Sequence, residues 1–302
     1  MAAAAGLGAG SWDGVHSLPK RTRARRLAAV GLNVGAAWLA SVTRAPHTNR
    51  DERFDAIRRM SANLMRSLNI TVVRKGAMVP RSQAALMIAN HVSWLDICTI
   101  GSVDGALFVA KSDLARWPVM GAIAKHHGNF FHARGNIRDA ARVKDRVAQA
   151  LRDGWRVAVF PEGTTSTGTA LMPFYPALAQ AAVDAGAVVQ TVAIRYLDTF
   201  GALNLAVPFI GDQTFVNSLG KILGQQEIIA EITFGDPVSA RGATRRELMA
   251  EAHRLIADTL GIRACHTAAD PAALRRGLSS GAAVASSSPL RDCGGRAVAA
   301  TA

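Results

Sequence analysis

The chain has 302 residues, of which 49% are apolar, so it can build a substantial core and is not a fibre, a disulfide mini-protein or a disordered chain. Its 35 basic and 22 acidic residues give a net charge of +13. Residues 1–75 hold 13 Lys or Arg against 4 Asp or Glu, whereas residues 76–269 hold 18 against 16. A basic N-terminal segment beside a nearly neutral domain argues against a nucleic-acid partner and favours an anionic membrane surface.

The N-terminal segment predicts a disordered leader followed by a membrane-docking module. Residues 1–19 are mostly Ala, Gly and Ser, which bury too little apolar surface to order the chain. Residues 20–68 contain two amphipathic helical patterns, the second capped by Asn49. The apolar run 27–43 is short and rich in Ala and Gly, which favours a helix lying in the bilayer interface over one that crosses it. The alternative is a helix that packs in the core of a soluble domain.

Residues 70–262 alternate short apolar runs with helical stretches, which predicts an α/β fold with a mostly parallel sheet flanked by helices. Residues 263–302 are rich in Ala, Ser and Gly and are expected to form a disordered tail. The strand candidates are residues 70–74, 84–89, 106–110, 129–132, 155–160, 188–194 and 228–234, and the helix candidates are residues 93–103, 136–153, 176–185 and 243–260.

The first candidate site is the segment 90–96, where an apolar strand ends and a helix begins. Ser93 and Asp96 have the spacing of a capping box, with Ser93 as the N-cap, and this structural role alone could explain both residues. The first-turn carboxylate of Asp96 also faces the loop that carries His91. A carboxylate beside an imidazole fixes its tautomer and raises its basicity, so His91 and Asp96 are candidates for a general-base pair.

Two further segments place polar groups at strand ends. The strand candidate 155–160 leads into Glu162, Gly163 and Thr164, which offer a carboxylate, flexible backbone and a hydroxyl. The short strand at 129–132 is followed by Arg134, whose guanidinium suits a bidentate grip on phosphate. The structural alternatives are an ordinary strand-ending turn and a solvated surface arginine.

Together these segments resemble the motifs of the phospholipid/glycerol acyltransferase family, particularly the bacterial 1-acyl-sn-glycerol-3-phosphate acyltransferases. His91 and Asp96 match the His-x4-Asp motif, residues 128–134 resemble the second motif, and residues 160–166 resemble the third, Phe-Pro-Glu-Gly-Thr-Arg-Ser. Residues 189–194 resemble the fourth. The similarity in order and spacing extends over about residues 80–200. Two positions depart from the family pattern, because Thr165 replaces an Arg and Thr191 replaces a Pro.

The resemblance implies transfer of a fatty acyl group from acyl-CoA or acyl carrier protein to the free hydroxyl of 1-acyl-sn-glycerol 3-phosphate. His91 would act as the base and Asp96 would orient it. Arg134, Glu162, Gly163 and Thr164 would bind substrate. No cofactor or metal is expected. The implied partners are membrane lipids and the lysolipid acceptor, at the cytoplasmic face of the inner membrane in a peripheral or monotopic mode.

Three alternatives remain open at this point. Because Thr165 replaces the family Arg, the acceptor could instead be lyso-ornithine lipid or another lysophospholipid. A catalytically silent lipid-binding protein would keep the fold but has no chemical reason to keep His91 and Asp96. Cys98, two residues after Asp96, could carry an acyl-enzyme intermediate, although a buried cysteine more often acts as a small apolar residue. The three cysteines, Cys98, Cys265 and Cys293, lack paired or metal-type spacing, which favours a reducing cytoplasm.

Overall fold

The structure is a computed structural model that describes residues 18–44, 49–133 and 136–264. The leader and the tail that the sequence predicts to be disordered lie almost entirely outside the described residues. One boundary differs from the prediction, because Arg263 and Ala264 form a short strand that pairs with residues 170–171. Ordered structure therefore extends two residues beyond the predicted domain end at residue 262.

Two N-terminal helices precede the sheet, α1 (Lys20–Thr43) and α2 (Arg50–Ser67). Helix α1 is longer than the apolar run predicted, because it includes the basic residues before position 27. The predicted cap of α2 is confirmed, since the Asn49 side chain accepts hydrogen bonds from the backbone N–H groups of Asp51 and Glu52. The apolar face of α2 is buried against the domain, as its amphipathic pattern requires.

The remaining elements alternate strand and helix as predicted. The strands are β1 (Ile70–Lys75), β2 (Ala85–Ala89), β3 (Leu107–Lys111), β4 (Phe130–His132), β5 (Arg156–Val159), β6 (Ala170–Leu171), β7 (Val188–Leu197), β8 (Ile228–Phe234), β9 (Val238–Ser239) and β10 (Arg263–Ala264). The helices are α3 (Leu95–Val103), α4 (Met120–His126), α5 (Ile137–Arg152), α6 (Ala179–Ala185), α7 (Phe215–Gly224) and α8 (Arg245–Leu260), with 3-10 turns at Ser112–Arg116 and Pro176–Leu178.

The main sheet has the strand order β1-β8-β7-β2-β5-β3-β4, with β9 beside β7. Strands β7, β2, β5, β3 and β4 are mutually parallel, whereas β8 runs antiparallel to β7 and carries β1 parallel to itself. Helices flank this sheet, and the predicted fold class is confirmed. Because β2, β5 and β4 share one direction, the segments that follow them emerge at the same edge of the sheet.

Helix α1 is attached to the rest of the protein by polar contacts of residues 23–33. Arg23 donates to the Gly220 carbonyl of α7 at 3.3 Å, and Arg26 donates to the carbonyls of Gln225 and Gln226 at 2.6 and 2.9 Å. The Asn33 amide donates to the Ser67 hydroxyl of α2 at 2.6 Å, which explains this polar residue within an apolar run.

The outer face of α1 is apolar and exposed. Leu32, Leu39 and Val42 are 76%, 56% and 55% exposed, whereas Val30 on the inner face is buried. In the described part of the chain α1 is the one helix long and apolar enough to cross a membrane. The exposed apolar face indicates membrane association.

Candidate active site

The centre of the site is the pair His91 and Asp96, at the carboxyl end of β2. His91 lies in the loop after the strand, and Asp96 lies in the first turn of α3. The imidazole Nδ1 is 2.7 Å from Asp96 Oδ2. The Asp96 side chain is fully buried, while the His91 side chain is 19% exposed. With Nδ1 held by the carboxylate, Nε2 is the imidazole nitrogen available to a substrate.

Asp96 is fixed by three donors besides His91. Its Oδ2 accepts the backbone N–H groups of Val92 at 2.7 Å and Ser93 at 2.9 Å, and its Oδ1 accepts the Tyr196 hydroxyl at 2.7 Å. Burial and the neighbouring Asp96 carboxylate raise the pKa of Tyr196 well above its usual value, so the phenol remains a donor. No sequence pattern predicts this contact of Tyr196, because the residue lies 100 positions from Asp96 and continues an apolar strand.

The predicted capping box is half wrong. Asp96 accepts the Ser93 N–H as expected, but Trp94 is the N-cap of α3 and has no capping hydrogen bond. The Ser93 hydroxyl is buried without a hydrogen-bond partner in the described residues. Asp96 therefore bonds the loop that carries His91, and the reciprocal cap that would make it a purely structural residue is not formed.

Glu162 lies beneath the His91 loop and is 3% exposed. Its Oε1 accepts the His91 backbone N–H at 2.6 Å and its Oε2 accepts the Met172 N–H at 3.1 Å. Desolvation raises the pKa of this carboxyl to about 8, against the opposing effect of the two backbone hydrogen bonds. The Glu162 carboxyl thus holds the backbone of His91 in place.

The orientation of the imidazole is also set by an aromatic contact and by a neighbouring amide. The Phe160 ring stacks on His91 with centroids 4.2 Å apart and an interplanar angle of 17°. Asn90 exchanges two hydrogen bonds with the Ile194 backbone of β7, at 2.8 and 2.9 Å. These contacts join the end of β2 to both neighbouring strands, so His91 is held by a rigid part of the fold.

The other predicted substrate-binding residues lie at the same sheet edge or outside the described part. Gly163 and Thr164 follow β5 and are exposed. Thr165, in the place of the family Arg, donates its hydroxyl to the Phe209 carbonyl and so joins the third motif to the loop before α7. Arg134 lies outside the described residues. Its neighbour Ala133 follows β4 and donates its N–H to Asp139 Oδ2 at 2.6 Å.

An apolar cavity lies near the dyad, between the N-terminal helices and the sheet. It is lined by side chains from α1, α2, α3, β3 and α4, including Val34, Met60, Ile97 and Phe108. The Phe108 ring lies parallel to Phe160 at 6.4 Å, and Phe160 in turn stacks on His91. The N-terminal helices and the sheet thus enclose one apolar space, and two ring contacts, Phe108 to Phe160 and Phe160 to His91, lie between it and the imidazole.

Cys98 faces this cavity and is poorly suited to nucleophilic attack. Desolvation and then the nearby Asp96 carboxylate raise the pKa of the Cys98 thiol to about 12. At neutral pH the side chain is therefore a neutral thiol. This favours the interpretation of Cys98 as a small apolar residue over that of an acyl carrier.

Comparison with known proteins agrees with this geometry. The family described as Acyltransferase matches residues 70–195. The chain is 34% identical over 235 residues to a lyso-ornithine lipid O-acyltransferase from Pseudomonas aeruginosa, which covers 77% of this chain and 90% of the relative. It is 38% identical over 149 residues to a 1-acyl-sn-glycerol-3-phosphate acyltransferase from Neisseria gonorrhoeae, which covers 49% of this chain and 58% of that protein.

A solved structure shares the fold. The crystal structure of the 1-acyl-sn-glycerophosphate acyltransferase PlsC from Thermotoga maritima matches with a TM-score of 0.60 and 19% identity, over 80% of this chain and 94% of that chain. The chain is thus related to acyltransferases along most of its length. Its sheet has the His91–Asp96 pair at the carboxyl edge. The chain belongs to the acyltransferase family.

Proposed function

We propose that this protein is a membrane-associated O-acyltransferase in which His91 is the general base and Asp96 orients it. The observation that carries the proposal is the 2.7 Å contact between His91 Nδ1 and the fully buried Asp96 carboxylate. This contact leaves Nε2 to accept a proton, and general-base assistance to an alcohol nucleophile is worth about 100- to 10,000-fold in rate.

The reaction follows from these positions. The acceptor hydroxyl loses its proton to His91 Nε2 as its oxygen attacks the thioester carbonyl of acyl-CoA or acyl carrier protein. An ester C–O bond forms, the C–S bond breaks, and the thiolate takes the proton from the imidazolium. Every group needed comes from the two substrates and His91, so the step requires no cofactor.

The remaining motif residues receive different roles. Glu162 is a positioning residue, because both of its oxygens are bonded to backbone N–H groups and its side chain is buried. Gly163 and Thr164 are exposed beside it and are proposed to contact the acceptor. Arg134 is proposed to bind the phosphate of the acceptor. Strand β4, which precedes Arg134, lies three strands from β2, or about 14 Å at the usual strand spacing.

The apolar cavity is proposed to hold an acyl chain. Most of its lining is apolar, ring contacts of Phe108 with Phe160 and of Phe160 with His91 connect it to the dyad, and a fatty chain gains free energy from such burial. Because α1 and α2 supply one wall, docking of the N-terminal module and binding of the chain are expected to depend on each other.

The proposed acceptor is 1-acyl-sn-glycerol 3-phosphate, which would give phosphatidic acid. A second candidate, lyso-ornithine lipid, is favoured by one observation at the site. Thr165 bonds to the Phe209 carbonyl where the family has an Arg, so the third motif brings no cation to meet a phosphate. The relative that matches along 90% of its own length is also named for that acceptor.

The N-terminal module is proposed to lie in the interface of the cytoplasmic leaflet. Arg23 and Arg26 in the first half of α1 contact α7 and the segment after it, and Asn33 contacts α2, which supports a helix laid on the protein body with its outer face toward lipid. A helix crossing the bilayer would have to give up these contacts.

The catalytic proposal is tested by the variants His91→Ala and His126→Ala, the second being a matched control on α4 outside the dyad. Acyl transfer from labelled acyl-CoA is measured with lysophosphatidate, lysophosphatidylcholine and lyso-ornithine lipid in parallel. We expect His91→Ala to lose at least about 100-fold in kcat and the control to retain activity. A folded His91→Ala protein with more than a tenth of the wild-type turnover would contradict the assignment.

A further inference from the structure

A second cavity, lined largely by charged side chains, lies at the edge of the sheet opposite to the dyad. Arg156 begins β5 and is paired in register with Ala85, the first residue of β2. His91 follows the other end of β2, so the two positions are about 20 Å apart at the rise of a strand. The cavity therefore belongs to neither the acceptor site nor the acyl-chain cavity.

Four arginines line this cavity, together with one acid. Arg58 comes from α2, Arg74 from β1, Arg81 from the loop before β2, and Arg156 from β5, while Asp104 ends α3. The space between them is about 280 Å³. Such a volume holds several ordered waters or a small polyanion.

The charges inside the cavity are incompletely compensated. Arg156 is completely buried, and its Nη1 lies 3.0 Å from Asp104 Oδ1 without hydrogen-bond geometry. Its Nε and Nη2 have no hydrogen-bond partner in the described residues. Arg58 and Arg81 share one carboxylate, that of Asp55, at 3.5 and 2.9 Å.

Arg74 has no carboxylate partner within the described part of the chain, and its guanidinium contacts only the sulfur of Met78 at 3.5 Å. Four guanidinium groups thus face two carboxylates, of which only Asp104 lines the cavity. A buried arginine with unsatisfied N–H groups is costly unless an acceptor with several oxygens binds it. Phosphate and pyrophosphate present such oxygens in the geometry that guanidinium groups recognise.

We propose that this cavity is an anion site, separate from the catalytic centre, that binds a phosphoryl group between Arg58, Arg74, Arg81 and Arg156. The site joins α2 of the N-terminal module to β1 and β5 of the sheet, so an occupant cross-links the two parts of the protein. The proposal does not depend on the roles of His91 and Asp96.

The test is calorimetric titration of the full-length protein in neutral detergent with inorganic pyrophosphate. The variant Arg74→Gln/Arg81→Gln removes two exposed cations of the cavity. The charge-matched control, Arg59→Gln/Arg66→Gln, removes two exposed cations of α2 that do not line the cavity. We expect saturable binding to wild type and control with Kd values within twofold of each other. The cavity variant should bind at least tenfold more weakly.

Two competition arms separate the sources of the phosphoryl group. Displacement of pyrophosphate by glycerol 3-phosphate without vesicles would identify a soluble ligand. Displacement only by phosphatidylcholine vesicles that contain phosphatidate would identify a lipid headgroup. The variant His91→Ala should bind pyrophosphate like wild type, and Arg134→Gln should leave the affinity of the cavity for pyrophosphate unchanged. Absence of saturable binding, or equal affinity in the cavity variant and its control, would overturn the proposal.

Discussion

Replacement of Glu162 by Gln should remove a pH-dependent loss of stability that the buried carboxyl imposes on the folded protein. Burial raises the pKa of Glu162 from 4.5 to about 8 in the folded protein. Between these pH values the folded protein holds one more proton at this site than the unfolded chain does. The free energy of unfolding therefore falls as pH rises, by about 1.4 kcal/mol per pH unit, and the loss is complete only above pH 8.

The Gln variant carries no such dependence but has a constant cost. The carboxyl of Glu162 accepts hydrogen bonds from the backbone N–H groups of His91 and Met172. In the variant the amide NH2 must face one of these two donors, which therefore loses its acceptor. A lost acceptor of this kind costs about 1–3 kcal/mol. The variant should thus be less stable than wild type at pH 5 and should gain up to about 3 kcal/mol relative to it by pH 7.

Urea unfolding of both proteins at pH 5, 6 and 7, followed by tryptophan fluorescence, measures this difference. All other titrating groups are common to the two proteins, so their contributions largely cancel. Parallel stability profiles for wild type and Glu162→Gln would refute the argument, because they would mean that Glu162 binds no extra proton on folding.

Three further substitutions test the site. Tyr196→Phe leaves the buried Asp96 Oδ1 without its phenol donor, so kcat should fall about tenfold while the KM for the donor changes little, as steady-state kinetics would show. Cys98→Ala should keep most of the wild-type kcat, because the thiol with a pKa of about 12 is not a nucleophile at neutral pH, and a trapped acyl-enzyme on Cys98 would contradict this. Thr165→Arg should raise the ratio of kcat/KM for lysophosphatidate over lyso-ornithine lipid by about tenfold, and an unchanged acceptor ranking would place headgroup selection elsewhere.

The contact between His91 and Asp96 could be predicted because its geometry is local. His91 and Asp96 are joined by one strand-to-helix turn, so their spacing alone brings the carboxylate to the imidazole. Glu162 could be placed at the same sheet edge, but its bond to the His91 N–H could not be predicted, since it depends on how two strand-ending loops pack. Tyr196 was missed for the same reason, because its contact needs β2 and β7 to be neighbours in parallel register.

The fold was predictable where apolar runs were long. All seven predicted strands are present. Strands β2 and β5 are buried on both faces and leave continuous apolar segments, whereas β8 alternates buried and half-buried residues. The sequence pattern of a single strand does not show its direction or its place in the sheet. The antiparallel direction of β8 and the edge position of β1 could therefore not be predicted. Helices α4 and α7, of 7 and 10 residues, were not predicted.

The hydrogen bonds between α1 and the segment after α7 have a consequence for the order in which the protein forms during synthesis. Arg26 and its acceptor Gln225 are 199 residues apart, so the ribosome needs about 10–40 s to produce the partner after the helix has emerged. Throughout that interval the domain on which α1 docks is incomplete, and the apolar residues of α1 are exposed. Because its outer face is apolar, α1 is able to contact a bilayer before the domain on which it docks is complete.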